Sequence, residues 1–178
     1  MTFNISGFTH IGTVRHINQD RISVQHHIAS DGFCDVERLD ACCCFVADGI
    51  GGNPAGDVTL VEFFDYNCPY CRRVAPTVVE LEETDPELRV VYKEFPILGE
   101  ESLLASRFAT SALLIGGSDA YGPLHDAMMT MRGNATPDNL VALADGLGLD
   151  GDAILNGTAD PRVDAIISDN HALAQRLQ

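Results

Sequence analysis

An apolar run, Val58-Thr-Leu-Val-Glu-Phe-Phe64, stops just short of Cys68-Pro69-Tyr70-Cys71, and apolar residues at helical spacing (Val74, Val78, Leu81) follow directly. A buried strand that becomes a helix at a dithiol restricts the fold of this chain more than any other feature. Leu88-Arg-Val-Val-Tyr-Lys-Glu-Phe95 reads as a second strand. Strand, helix, strand in that order makes the two strands parallel neighbours in an α/β sheet. Helices are expected near 101–115, 119–131, 137–147 and 160–177, with Thr136 as an N-cap and Pro137 at the first helical position.

The dithiol sits where helix amides converge. That position predicts a stabilised thiolate and a lowered pKa at Cys68. Pro69 needs no backbone donor in the first turn, and Tyr70 completes the motif. Cys71, one turn on, can close a short disulfide, which makes the pair a reversible electron carrier. Glu62 lies within the apolar run, where a buried carboxyl would have a raised pKa and could exchange protons with Cys71. A second reading puts Glu62 at a sheet edge, facing solvent. The dithiol also has two other readings, half a zinc site or a pair of inert thiols. Zinc needs two further ligands. Of Cys42, Cys43 and Cys44, only Cys42 and Cys44 could face the same way on a strand.

The first 57 residues have a different character. Two strands are expected, at 21–26 and 41–47, with a polar loop over 30–40 between them. The stretch Gly51-Gly-Asn-Pro-Ala-Gly-Asp57 is turn-forming and marks a seam. The two C-terminal strands alone would leave open edges. Pairing with the N-terminal strands would give a four-stranded mixed sheet, with 41–47 apolar enough for a central place. His10, His16, His26 and His27 lack a spaced partner set and read as surface residues.

Lys plus Arg total 11 against 26 Asp plus Glu, a formal charge of −15. Such a chain has no basic face for nucleic acid or for an anionic membrane surface. No apolar stretch approaches the ~20 residues of a membrane span. The first ten residues lack a basic flank followed by an apolar run, so a cytoplasmic location is expected. Cysteines there would be mostly thiols.

Residues 53–178 resemble the DsbA-type thiol–disulfide oxidoreductases of the thioredoxin-like superfamily. The resemblance rests on Gly56-Asp-Val-Thr-Leu-Val-Glu-Phe-Phe-Asp-Tyr-Asn-Cys-Pro-Tyr-Cys-Arg72 and Val90-Val-Tyr-Lys-Glu-Phe-Pro-Ile-Leu98, with His125-Asp-Ala-Met-Met129 and Leu147-Gly-Leu-Asp150 further on. It implies that Cys68 attacks, Cys71 resolves and Glu62 is the buried acid. It also implies no cofactor and protein or small-molecule thiols as partners. Members of that family are usually periplasmic or exported. They carry a cis-proline loop opposite the dithiol, then a hairpin and a last helix. Gln178 falls where that loop would begin, so the expected domain lacks those parts.

Gly12-Thr-Val-Arg15, Asn18-Gln-Asp20 and Phe45-Val-Ala-Asp-Gly-Ile-Gly-Gly-Asn-Pro-Ala-Gly-Asp57 resemble the start of the PPM-type metal-dependent serine/threonine phosphatases. That likeness implies a two-metal site with Mg²⁺ or Mn²⁺ on oxygen ligands. Asp20 and Asp48 would be ligands, Gly49 would offer a carbonyl and Arg15 would contact phosphate. The later metal aspartates of that family have no counterpart, since Asp164 and Asp169 read as a solvated helix face.

Together these readings predict an α/β thioredoxin-like core with a helical insertion and an incomplete sheet, preceded by a two-stranded phosphatase-like segment. The domains are 1–56 and 57–178. The expected function is thiol–disulfide exchange through Cys68 and Cys71. The alternatives are an inactive chimeric fragment and a metal-binding phosphatase remnant. Self-association through open sheet edges is a further expectation.

Overall fold

The computed structural model of the protein describes residues 23–28, 32–33, 44–48, 58–86 and 88–177, with side chains described from Thr59 onward. The described strands form one five-stranded sheet. They are β1 (Ser23–Ile28), β2 (Gly32–Phe33), β3 (Cys44–Asp48), β4 (Val58–Phe64) and β5 (Leu88–Glu94), in the spatial order β2-β1-β3-β4-β5. β1 pairs antiparallel with β2 and β3, and β3 pairs antiparallel with β4. β4 and β5 run parallel in the register Glu62↔Tyr92 and Phe64↔Glu94. The parallel pair requires a crossover, which helix α1 (Pro69–Thr84) supplies.

The sheet departs from the expected four strands in one respect. Gly32–Phe33, inside the segment read as a loop, adds a short edge strand to β1. The expected central place of the 41–47 run is occupied by β3, between β1 and β4. β4 is therefore an interior strand, which removes the solvent-facing reading of Glu62.

Alternation along β4 sorts its side chains between two faces. Leu60 and Phe64 face a large core that holds Cys68, Cys71 and Val78 of the dithiol segment and Phe108, Leu124 and Met128 of helix α2 (Glu100–Thr130). Glu62 shares their parity. Phe63 faces the other way, into a smaller core with Phe95 and Ala174 of helix α5 (Pro161–Arg176). Phe63 and Phe95 meet edge to face, with ring centroids 6.0 Å apart.

The long helix α2 contains a break where two helices were expected. Gly117 has φ 66° and ψ −159°, a conformation that glycine adopts without a Cβ penalty. Helix α3 (Pro137–Gly146) starts as the sequence predicts, with the Thr136 side chain accepting from the Asn139 amide at 3.3 Å. A short helix α4 (Gly151–Gly157), capped by Asp150, was not foreseen, because its seven residues are too few to show a helical period.

Candidate active site

The turn between β4 and α1 is held from three sides. The Asp65 carboxylate, fully buried, accepts from the Asn67 amide at 2.8 Å through Oδ1. Its Oδ2 accepts from the Ile97 and Leu98 amides at 2.8 and 3.0 Å, which ties the turn to the segment after β5. Arg72 donates through Nε to the Tyr66 carbonyl at 2.6 Å and through Nη1 to the Met131 carbonyl at 2.9 Å. The Tyr66 side chain points into the core, where its hydroxyl donates to Glu94 Oε1 at 3.0 Å.

Cys68 is the N-cap of α1, with φ −75° and ψ 117°. Its sulfur accepts from the Cys71 amide at 3.5 Å. Both cysteines are thiols, and neither exposes surface. Pro69 is exposed and Tyr70 half-buried between them, with the Arg73 guanidinium 5.4 Å from the Tyr70 ring centre.

The pKa of Cys68 departs from the sequence expectation. Hydrogen bonding to the Cys71 side chain, burial and the charge of Cys71 all push it well above the ordinary thiol value. The amides of Cys71 and Tyr70 pull the other way, as a helix N-terminus should. The amide contribution was visible in the sequence. The opposing one needed the neighbouring sulfur and the enclosing core. Adjacent thiols titrate as a pair, and a second negative charge on the dithiol is the expensive one.

Glu62 is 1% exposed, and burial pushes its carboxyl up to about 8. Its Oε1 has no hydrogen-bond partner among the described residues. A protonated carboxyl is the form such a place favours.

A second buried acid escaped the sequence reading. Glu94 is 4% exposed, and burial pushes it up to about 8 as well. Its Oε1 receives the hydroxyls of Tyr66 at 3.0 Å and Tyr121 at 2.8 Å. Tyr66 lies 3.1 Å from Nδ1 of His125. With the Tyr66 proton given to Glu94, the Tyr66 oxygen accepts from Nδ1–H. His125 is enclosed by aromatic rings, with Phe64 and Tyr92 centroids at 4.7 and 4.4 Å. Burial lowers its pKa to about 4, so the ring is neutral at pH 7. One signal could have exposed Glu94: it has the parity of Leu88, Val90 and Tyr92, which marks a carboxyl on the inner face.

The residues assigned to a metal site fare differently. Arg15, Asp20 and Gly49 lie outside the described residues, as do His10 and His16. Asp48 ends β3, opposite Thr59. Cys34, Cys42 and Cys43 also lie outside, while Cys44 opens β3. Among the described residues no group of three or more His, Cys, Asp or Glu is placed to hold a metal. Asp164 pairs with Arg107 at 2.7 Å on an exposed helix face, and Asp169 is exposed. No helix of the described residues is long and apolar enough to cross a membrane.

Comparison with known proteins agrees with this geometry. A family model described as a DSBA-like thioredoxin domain matches residues 59–178. A solved thioredoxin-like oxidoreductase from Silicibacter pomeroyi DSS-3 is similar at 41% identity and a TM-score of 0.64, over 79% of this chain and 75% of that one. The catalytic domain of Proteus mirabilis ScsC is similar at 25% identity and a TM-score of 0.62, over 71% of this chain and 68% of that one. The Na(+)/H(+) antiporter NhaA 1 of Salinispora arenicola (strain CNS-205) is 32% identical over 115 residues, which make up 65% of this chain. The match spans only 18% of the antiporter's own length.

Proposed function

Because the chain belongs to the DSBA-like thioredoxin domain family, we propose that it is an oxidoreductase exchanging disulfides with protein or small-molecule thiols through Cys68 and Cys71. In the oxidised form a substrate thiolate attacks Cys68 Sγ. The Cys68–Cys71 bond breaks, and Cys71 leaves with the electron pair. A second substrate thiolate then attacks the substrate sulfur of the mixed disulfide and releases Cys68. The substrate loses two electrons and the dithiol gains them; the reverse sequence reduces a substrate. Protonated Glu62 gives a proton to the departing Cys71, and its carboxylate takes one back when Cys71 attacks.

The observation that carries this reading is the cap itself. Cys68 sits at the start of α1 with its sulfur on the Cys71 amide, one helical turn from a second thiol. The family match beginning at residue 59 supports a boundary near 56/57 between the oxidoreductase domain and the segment before it. The usual exported setting of DsbA-type proteins favours an oxidising compartment over the cytoplasm. Since Cys68 exposes no surface, a substrate must displace neighbouring groups to reach it.

A glutathione redox titration with alkylation and peptide mapping tests the proposal. Reversible closure of Cys68–Cys71 at one defined potential is the expected result. Scrambling of these two with Cys34, Cys42, Cys43 and Cys44 would overturn it and leave an inactive fragment.

A further inference from the structure

We propose that Glu94 is a positioning residue for the dithiol, acting through the hydroxyl of Tyr66. The inference rests on the dithiol reading above and deepens it. Tyr66 stands two residues before Cys68 and is anchored at both ends. Its carbonyl accepts from Arg72 Nε at 2.6 Å, and its hydroxyl donates to Glu94 Oε1 at 3.0 Å and lies 3.1 Å from His125 Nδ1. Arg72 directly follows Cys71. The cysteines are thus bracketed by two residues, and one of these is pinned to the far side of the core by Glu94.

The arrangement around Glu94 is built rather than incidental. Tyr121 donates to the same Oε1 at 2.8 Å, so one carboxyl oxygen collects hydroxyls from the dithiol turn and from α2. The strand end beneath it is fixed as well. The Glu94 carbonyl accepts from Asn170 Nδ2 of α5 at 3.1 Å, and Phe95 N donates to the Phe64 carbonyl at 2.9 Å. Oε2 and Ser106 Oγ are both buried and form no hydrogen bond within normal geometry, yet the Ser106 hydroxyl, with those of Tyr121 and Tyr66, favours the charged carboxylate, so Ser106 is a third polar neighbour beside the two tyrosines. A carboxyl buried at such cost and given to two tyrosines orients what those tyrosines carry. For Tyr66 that is the turn with the N-cap sulfur.

The consequence is a change in redox equilibrium. The geometry described is that of the dithiol, with the Cys71 amide on Cys68. Loosening Tyr66 weakens that contact and so weakens the reduced form. The pair then becomes more reducing, because a dithiol that is less stabilised gives up its electrons more readily.

The test is the equilibrium constant with glutathione in four full-chain proteins: wild type, Tyr66→Phe, Glu94→Leu and Glu94→Gln. Tyr66→Phe keeps the ring and its packing and loses only the hydroxyl. A shift of about three- to tenfold toward the disulfide form is expected for it and for Glu94→Leu, the size of one buried hydrogen bond. Glu94→Gln keeps an oxygen that can accept both hydroxyls, and should return the constant to within about twofold of wild type. Hydrogen exchange of the Asn67, Cys68, Tyr70 and Cys71 amides, measured in the same proteins, should quicken in the first two variants and not in the third. Tyr66→Phe and Glu94→Leu both matching wild type would overturn the proposal. So would a shift in Glu94→Leu with none in Tyr66→Phe, since the action would then bypass Tyr66. If wild type itself fails to close Cys68–Cys71, the oxidoreductase reading falls. The exchange rates then decide the positioning role alone: unchanged rates in Tyr66→Phe end it, and faster rates uphold it.

Discussion

Arg72 Nε donates to the carbonyl of Tyr66 at 2.6 Å, across the turn that carries both cysteines. Two further guanidinium contacts reach the Met131 and Met128 carbonyls at 2.9 and 3.4 Å, beside the C-terminal end of α2. One side chain thus closes the dithiol turn and locks it onto the helical layer. Arg72→Ala removes all three contacts and should destabilise the fold by about 2–4 kcal/mol, since hydrogen bonds from a charged group count for more than neutral ones. Arg72→Lys keeps a point charge without the fork and should recover under half of that. Urea unfolding of the three proteins measures it, and a loss below about 0.5 kcal/mol for Arg72→Ala would mean that the clamp contributes nothing.

The buried acids and His125 give stability a definite pH dependence. Glu62 and Glu94 are both held up at about 8, whereas an unfolded Glu titrates near ~4.3. The folded state therefore holds their protons more tightly. Their contribution is complete below the unfolded value and is lost as the pH climbs through the folded one. His125, pushed down to about 4, works in the opposite sense. Its contribution is present above the unfolded value near ~6.5 and is lost as the pH falls through the folded one. Of these three groups only the acids act between about pH 6.5 and 8, so their contribution to stability falls as pH rises, by at most about 1.4 kcal/mol per acid per pH unit. Glu62→Gln should remove roughly half of that slope. A flat profile in wild type over this window would contradict the burial of two protonated carboxyls.

The two cysteines should separate cleanly by variant. Cys68→Ser is expected to abolish exchange with glutathione, and Cys71→Ser to leave a mixed disulfide on Cys68 that resolves slowly. Mass spectrometry after incubation with oxidised glutathione reads both. Accumulation of the adduct on Cys71 in the Cys68→Ser protein, at the rate seen for Cys68, would reverse the assignment of roles. Because neither sulfur exposes surface, alkylation of native wild type should also be much slower than in denaturant.

Gly157 tests the helical layer away from the dithiol. A Cβ built there would lie 2.3 Å from Ser111 Oγ, which donates to the Ile154 carbonyl at 2.7 Å. Gly157→Ala raises helix propensity yet should destabilise by about 1–3 kcal/mol, because the added methyl displaces a buried hydrogen-bonded serine. Thermal unfolding checks the sign. An increase in Tm would show that Ser111 gives way easily.

The amino-acid sequence by itself determined the parts of this protein that local rules govern. The apolar run Val58–Phe64 marked a strand, while the choice between a buried and a solvent-facing Glu62 waited on β3 covering the edge. Proline after Cys68 and after Thr136 marked two helix starts; Thr136 caps as expected, and Cys68 caps the other helix. These features depend on neighbours within about one helical turn, and such neighbours are adjacent in the text.

What needed the tertiary structure was convergence. Tyr66, Glu94, Tyr121 and His125 come from a turn, a strand and a helix, and the pairs that bond lie 28, 27 and 59 positions apart. No period links them, and each alone reads as an ordinary residue of its element. The high pKa of Cys68 belongs with them. The Cys71 sulfur that raises it most and the helix amides that lower it are both local, but the burial that adds to the rise is set by packing. The strand order β2-β1-β3-β4-β5 is likewise a matter of which edges meet. Packing decides such relationships, because burial and hydrogen bonding depend on distance in space rather than along the chain.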